Sequence, residues 1–272
     1  MTTRSSTPSS TGTPTVSVVT GGARGIGRGI AELMIARGHR VLIGDLDGAA
    51  ATATADEIGA VAGLAQDVRD PASHRLVAEE AARHGELTAW FNNAGVGDDG
   101  TLAELAEEQV RRLVEVNLLG TMWGTRAALA AFGPAGGDVV NVASLAGLGP
   151  VPGYSVYAAT KAAVVSLSTS VNAESPRGVR VHALCPDGVD TAMLAAQDPD
   201  GLGSQLVYSG GPILAVADVA AAAVELVGSS RVVRAVPGWR GGVVRGSALA
   251  PGLMQHAAGL FAAQGRRAMK RR

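Results

Sequence analysis

The chain has 272 residues, of which 47% are hydrophobic, 17% charged and 3% aromatic, with a formal net charge of −1 at pH 7. That apolar fraction excludes wholesale disorder, and the length is ample for one large α/β domain or two small ones. A lone cysteine, Cys185, excludes a disulfide framework and any cysteine-based zinc site.

Residues 1–14 are rich in Ser, Thr and Pro, lack the apolar core of a secretory signal, and read as a disordered leader. No uncharged apolar run approaches the ~20 residues of a spanning helix, so the expected location is the cytoplasm. From there, β-rich runs and helical patterns alternate. Strands are expected at Val16–Thr20, Val41–Asp45, Val61–Ala65, Ala89–Asn92, Asp138–Ala143, Val179–Cys185 and Val232–Val236. Helices are expected within Ile30–Arg37, His74–His84, Glu107–Ala131, Tyr157–Ala173 and Val216–Leu226. Strands separated by helices predict right-handed βαβ units and a parallel sheet covered by helices on both faces, one doubly wound domain over 15–250. Residues 251–272 form a basic extension beyond it.

The first strand runs directly into Thr20-Gly21-Gly22-Ala23-Arg24-Gly25-Ile26-Gly27 and then a helical pattern. Glycines in that context give a tight turn and let the backbone approach a pyrophosphate at the helix N-terminus. Asp45 ends the second strand, where a carboxylate accepts hydrogen bonds from the adenosine ribose hydroxyls and repels a 2′-phosphate. Arg24 pulls the other way, since a guanidinium in the turn could grip that phosphate. NAD(H) is favoured and NADP(H) kept open. The bland alternative for Asp45 is a cap for a helix starting near Leu46.

Five motifs in order resemble the classical short-chain dehydrogenase/reductase (SDR) family. They are TGGARGIG, Asn92-Asn93-Ala94-Gly95, Asn117 in VEVNLLG, Ser144, and Tyr157-Ala158-Ala159-Thr160-Lys161, with Ser144 lying 13 residues before Tyr157. The resemblance covers residues 16–236. It implies a Rossmann-type sheet of order 3-2-1-4-5-6-7 and a catalytic set of Asn117, Ser144, Tyr157 and Lys161. It further implies cofactor contacts from Gly21, Arg24, Gly25, Ile26, Gly27, Asp45 and Leu46 in the first half of the sheet. Asp67, Val68, Asn93, Ala94 and Gly95 would follow, then Tyr157, Lys161, Pro186, Gly188, Val189 and Thr191.

The chemistry of those side chains agrees with that implication. Tyr157 and Lys161 are four apart on an expected helix and share a face. A free phenol ionises near 10; a neighbouring ammonium, with the charge of oxidised nicotinamide, would lower that value. Lys161 is one of only two lysines in an Arg-biased chain, the other being Lys270. Tyr157 would give or take the proton at a carbonyl or alcohol oxygen, and Ser144 would hydrogen-bond the same oxygen. By resemblance, Lys161 orients the nicotinamide ribose and Asn117 holds a water that links Lys161 to solvent.

After the sixth strand the family usually shows Pro-Gly; here Asp187 follows Pro186. The expectation is that Asp187 turns outward while Gly188 supplies flexibility. Residues 187–215 resemble a mobile lid, with Met193, Leu194, Leu206, Val207 and Tyr208 closing over the substrate. Ser144, Tyr154, Met193 and Leu194 are the substrate-pocket candidates. No Arg or Lys lies between Arg180 and Arg231, so an uncharged, rather apolar ketone, aldehyde or secondary alcohol is expected. The five histidines show no ligand spacing, and no catalytic metal is expected.

The carboxyl end departs from the family. Nine of the 23 basic residues and none of the 24 acidic ones follow Glu225. Leu253, Ala257, Leu260 and Phe261 fall at helical spacing. A membrane-surface helix, a subunit contact, a solvated end and a tail lying on the protein's own acidic body all remain open, with membrane contact not favoured. The resemblance implies a homodimer or homotetramer built on the Glu107–Ala131 and Tyr157–Ala173 helices. Two other readings stay beside the oxidoreductase: a catalytically weak, cofactor-sensing interaction protein on the same scaffold, and a nucleotide-sugar epimerase or dehydratase. The intact Tyr157/Lys161 pair speaks against the first, and the glycine spacing and short carboxyl end against the second. Nucleic-acid binding has only the basic tail in its favour and is not expected.

Overall fold

The computed structural model describes residues 13–249 and 251–270, with backbone only at 251 and 253–258. Apart from Thr13 and Pro14, the expected leader lies outside the described residues, as do Arg271 and Arg272. Pro14 is already tied to the sheet, because its carbonyl accepts from Glu86 N at 2.9 Å.

Among the described residues, seven strands form one parallel sheet: β1 Thr15–Thr20, β2 Arg40–Asp45, β3 Ala62–Ala65, β4 Glu86–Asn92, β5 Gly137–Val142, β6 Val179–Pro186 and β7 Val233–Val236. Their spatial order is β3-β2-β1-β4-β5-β6-β7, the doubly wound arrangement anticipated above. The direction of winding reverses between β1 and β4, and the crevice at that switch point is where such sheets bind ligands.

The strands are apolar on both faces because helices cover both. Val19, Val41, Ile43 and Leu184 face one side and pack with Ile30 and Met34 of α1 (Gly25–Ala36) and Val219 of α9 (Val216–Val224). Val16, Val18, Leu42 and Trp90 face the other and pack with Val77 of α3 (Pro71–His84) and Ala128 of α5 (Gly120–Ala131). Neighbours Val18 and Val19 thus serve opposite cores, as the period of two requires.

The expected single helix over Glu107–Ala131 is α4 (Glu107–Val114) running through a π-turn (Glu115–Leu119) into α5. Helix α2 (Gly48–Ile58), missed in the sequence, is capped by Asp47, whose side chain accepts from Ala50 N. Helix α6 (Ser155–Glu174) carries the Tyr-Lys pair. After β6 come the short α7 (Ala192–Ala195) and α8 (Leu202–Tyr208), and after β7 the two helices α10 (Gly238–Leu249) and α11 (Pro251–Met269). No helix among the described residues is long and apolar enough to cross a membrane.

Candidate active site

A cleft of about 1820 Å³ runs along the carboxyl ends of the strands. At one end lies the β1–α1 turn. Gly21 (φ +62°) and Gly25 (φ +57°) occupy the left-handed region that other residues resist. A Cβ on Gly25 would meet only Thr191 Cγ2, at 3.8 Å, so this glycine faces open cleft. Gly27 does something else: a Cβ there would lie 2.1 Å from the Gly21 carbonyl oxygen. It lets α1 press against the turn and is not on the cleft wall. Helix α1 starts with no side-chain cap and no acidic residue in its first turn, leaving its N–H groups available to an anion.

The turn is fastened from β4. Asn93 Nδ2 donates to the carbonyls of Thr20 and Gly21, both at 3.0 Å, and Thr20 Oγ1 accepts from the amides of Asn93 and Ala94. Asp45 accepts from Ala23 N at 3.1 Å. It stands on the cleft wall with Arg24, Ile26 and Leu46. Because Asp47 caps α2, Asp45 is not spent on a helix. The Arg24 guanidinium has no ion-pair partner among the described residues.

Asp67 and Val68 also line the cleft. Asp67 pairs with Arg69 at 2.7 Å, which holds its carboxyl below the usual range. Asp70 caps α3, accepting from Ala72 N, so Asp67 is not the cap. Gln66, next to Asp67, is a cleft residue the sequence reading missed. Its Nε2 is hydrogen-bonded with His74 Nδ1, while its Oε1 is buried without a partner against Gly44. An uncapped helix start, an open glycine cradle and a carboxylate beside the turn are the donor and acceptor set that a dinucleotide would complement.

At the other end, Ser144 follows β5, with its Oγ accepting from Ala146 N at 3.1 Å. Tyr157 and Lys161 stand one turn apart on α6, and both line the cleft with Ser144. Lys161 Nζ is buried, donates to Val142 O at 2.9 Å and lies 5.7 Å from the Tyr157 ring centroid. Burial pushes this amine down to about 8. Burial also pushes the Tyr157 phenol above its ordinary value, while a Ser144 hydrogen bond works in the opposite direction. The expected lowering of the phenol by Lys161 is therefore not a property of the protein alone, because desolvation dominates the shift.

Asn117 does not reach the cleft. It is fully buried in the π-turn, where Nδ2 donates to Val96 O and Oδ1 accepts from Val96 N, both at 2.9 Å. Each end of its amide thus holds the backbone of Val96. Asn117 instead pins the strand exit beside Gly95, where a Cβ would meet Asn117 Oδ1 at 3.2 Å and Lys161 Nζ at 3.6 Å.

Ala94 and Gly95 line the cleft after β4, and Pro186, Gly188, Val189 and Thr191 line it after β6. Asp187 corrects the sequence expectation: it does not turn outward. Its carboxylate is largely buried and pairs with Arg240 of α10, Oδ2 to Nε at 3.0 Å. Burial raises the Asp187 carboxyl and Arg240 opposes that rise. Gly188 is there for space rather than flexibility, since a Cβ would lie 2.3 Å from Val207 Cγ1 in the lid.

Met193, Leu194, Leu206 and Val207 line the cleft as expected of the lid; Tyr208 is not on its wall. Tyr154 is buried beside Tyr157, ring centroids 5.8 Å apart, and its hydroxyl reaches Ser204 Oγ of the lid at 3.4 Å. The sequence reading missed the outer wall altogether. Trp239, Val243 and Val244 of α10 and Phe261 of α11 border the cleft. Their signal could not be read, because α10 meets the lid across a long stretch of chain. Helix α11 packs on α8, with Ala262 2% exposed and Arg266 Nη1 donating to Gln205 Oε1 at 2.7 Å. Part of the basic end thus lies on the protein's own body.

The sequence pattern of the short chain dehydrogenase family matches residues 15–201. The chain belongs to that family. Sorbitol dehydrogenase of Cereibacter sphaeroides is 42% identical over 178 residues, covering 64% of this chain and 70% of that one. Among solved structures, a short chain dehydrogenase/reductase from Burkholderia phymatum in complex with NAD superposes with a TM-score of 0.77 at 28% identity, covering 85% and 92% of the two chains. An actinorhodin polyketide ketoreductase variant with NADPH gives 0.75 at 28% identity, over 84% and 97%. The family is one of oxidoreductases, and these neighbours hold a nicotinamide cofactor, the diphosphopyridine form in one and its 2′-phosphate form in the other.

Proposed function

We propose that this short-chain dehydrogenase interconverts a secondary alcohol and its ketone, or a primary alcohol and its aldehyde, with NAD(H) preferred over NADP(H). The observation that carries the reading is that Ser144, Tyr157 and Lys161 line the same cleft as the glycine turn at the uncapped start of α1. A nicotinamide dinucleotide in the cleft supplies or accepts the hydride.

The chain's own residues do the rest. Tyr157 holds the proton at its phenol oxygen and delivers it to the carbonyl oxygen being reduced, or takes it from the alcohol being oxidised. Ser144 hydrogen-bonds the same substrate oxygen. Lys161, anchored on Val142 O, places its ammonium beside the phenol, where positive charge favours the phenolate. Gly21, Gly25 and the N–H groups of α1 receive the diphosphate. Asp45 accepts from the adenosine ribose and disfavours a 2′-phosphate; Arg24, on the same wall, would welcome it.

The substrate end supports an uncharged compound. Its guanidinium groups are already answered: Arg240 by Asp187 at 3.0 Å and Arg112 by Asp98 at 2.7 Å. Apolar side chains from the lid and from α10 form most of its remaining wall. A homo-oligomer in the cytoplasm, built on the faces of α4–α5 and α6, completes the proposal, without nucleic acid or metal.

The test is a panel of cyclic, aliphatic and polyhydroxy alcohols and ketones followed at 340 nm with both cofactors, in the unmodified protein and in Tyr157→Phe. Removing the phenolic proton is expected to lower kcat by about 10³ while NADH binding is retained. Unchanged turnover in Tyr157→Phe would remove the phenol from the mechanism.

A further inference from the structure

The lid is tied down from three directions. Asp99 accepts from Ser204 N and Ser204 Oγ at 3.2 and 2.8 Å, fixing the start of α8 to the loop after β4. Gln197 Nε2 donates to Gly97 O at 3.2 Å. The third tie comes from α10. Arg240 sends Nε to Asp187 Oδ2 and Nη2 to the carbonyl of Leu206, both at 3.0 Å. Its guanidinium lies across Gly210 so closely that a Cβ there would be 0.6 Å from Nη1.

One planar group therefore joins the carboxyl end of β6, the last turn of α8 and the loop that follows. Few side chains besides arginine can do this, since a fork of donors is needed to hold a carboxylate and a carbonyl together. A cation at Leu206 O also sits where the α8 carbonyls carry partial negative charge. Both members of the ion pair are mostly buried, 13% and 14% exposed, so water screens the contact little.

We propose that Arg240 is a positioning residue for the dehydrogenase reaction: through Asp187, Leu206 and Gly210 it straps the lid over the cleft, so that Leu206 and Val207 present a fixed apolar surface to the substrate. The proposal rests on the dehydrogenase reading for its substrate, but the strap itself is measurable without turnover.

The test uses full-length protein with Arg240→Ala, Arg240→Lys and Gly210→Ala. The last keeps both charges and displaces the guanidinium; Gly210 has no positive φ, so alanine suits its backbone. Amide hydrogen exchange in residues 202–211 is expected to quicken about tenfold in Arg240→Ala and in Gly210→Ala, with β1 and β5 unchanged, as for a local opening. Arg240→Lys, which keeps the charge but loses the fork, should fall between them and the unmodified protein.

With NAD+ and 2-octanol or cyclohexanol, KM for the alcohol should rise about tenfold in the two alanine variants, while KM for NAD+ stays within twofold. Unchanged exchange at 202–211 in either alanine variant overturns the strap. Quickened exchange with an unchanged alcohol KM overturns the positioning role. Quickened exchange in a protein that turns over no alcohol or ketone leaves the strap standing and removes the dehydrogenase reading instead.

Discussion

Lys161 is buried as an ammonium with one hydrogen bond, and that has a measurable cost. Its folded value is about 8 against an ordinary 10.5. Between those values the unfolded chain binds more protons than the folded one, so stability rises with pH through that window. From pH 7 to pH 9 the gain is on the order of 1 kcal/mol, approaching roughly 3 kcal/mol above pH 10.5. Lys161→Met keeps the apolar stem and removes the titration. Urea unfolding of both proteins at pH 7, 8 and 9, at constant ionic strength, isolates the effect. Subtracting the two curves cancels every other titrating group, and the lost bond to Val142 O adds only a pH-independent offset. The unmodified protein should gain on Lys161→Met by on the order of 1 kcal/mol between pH 7 and 9. Parallel stability curves would refute the claim that desolvation governs this lysine, and with it the view that the amine is poised to lose its proton near neutral pH.

Three further outcomes are expected. Asp45→Ala should weaken NAD+ binding and raise kcat/KM with NADP+ by roughly tenfold or more, by removing the repulsion of a 2′-phosphate; fluorescence titration with both cofactors measures it. Gly27→Ala should destabilise the turn by about 1–3 kcal/mol and impair NADH binding, because the new methyl group would collide with the Gly21 carbonyl 2.1 Å away. In Asp138, burial raises the carboxyl, but Arg180 at 2.7 Å and His182 at 3.0 Å more than offset it and hold the group below its ordinary value. Its contribution is present above the ordinary carboxylate range and is lost as pH falls through the depressed folded value, so Asp138→Asn should flatten the acid limb of a stability–pH profile.

Local rules carried the reading as far as contacts stayed local in kind. Near-continuous apolar runs such as Val16–Val19 had to be strands buried on both faces, whereas the sheet order came with the family resemblance that the five motifs carry. The Tyr157–Lys161 pair was legible because a helix sets residues four apart on one face. What escaped the sequence was of two kinds. Helix α2 begins with small residues of weak periodicity, and its signal was the Asp47 cap rather than a hydrophobic stripe. The ties of Arg240 to Asp187 and Leu206, and of Arg266 to Gln205, join segments that have no pattern in common, so only a folded chain displays them. Ionisation escaped for a related reason: spacing predicts that Lys161 adjoins Tyr157, but burial decides which way each group shifts.

The two ends of the cleft differ in how much freedom the fold leaves them. At the turn, Gly21, Gly27 and Asn93 interlock so closely that a single methyl group is excluded, and any family member built this way must present much the same cradle to a diphosphate. At the other end the wall is assembled from a lid and two terminal helices, joined by a guanidinium and a few hydrogen bonds. Replacing an arginine or a valine there changes a surface without disturbing the sheet. The side chain that departs from the family's usual Pro-Gly run, Asp187, is the one that recruits Arg240. A carboxylate at that position without a cation would be a buried, unpaired charge, which is strongly destabilising. The carboxylate at 187 and Arg240 of α10 therefore depend on each other, and Asp187→Gly should leave Arg240 without its ion-pair partner, loosening the lid without restoring the family's usual end.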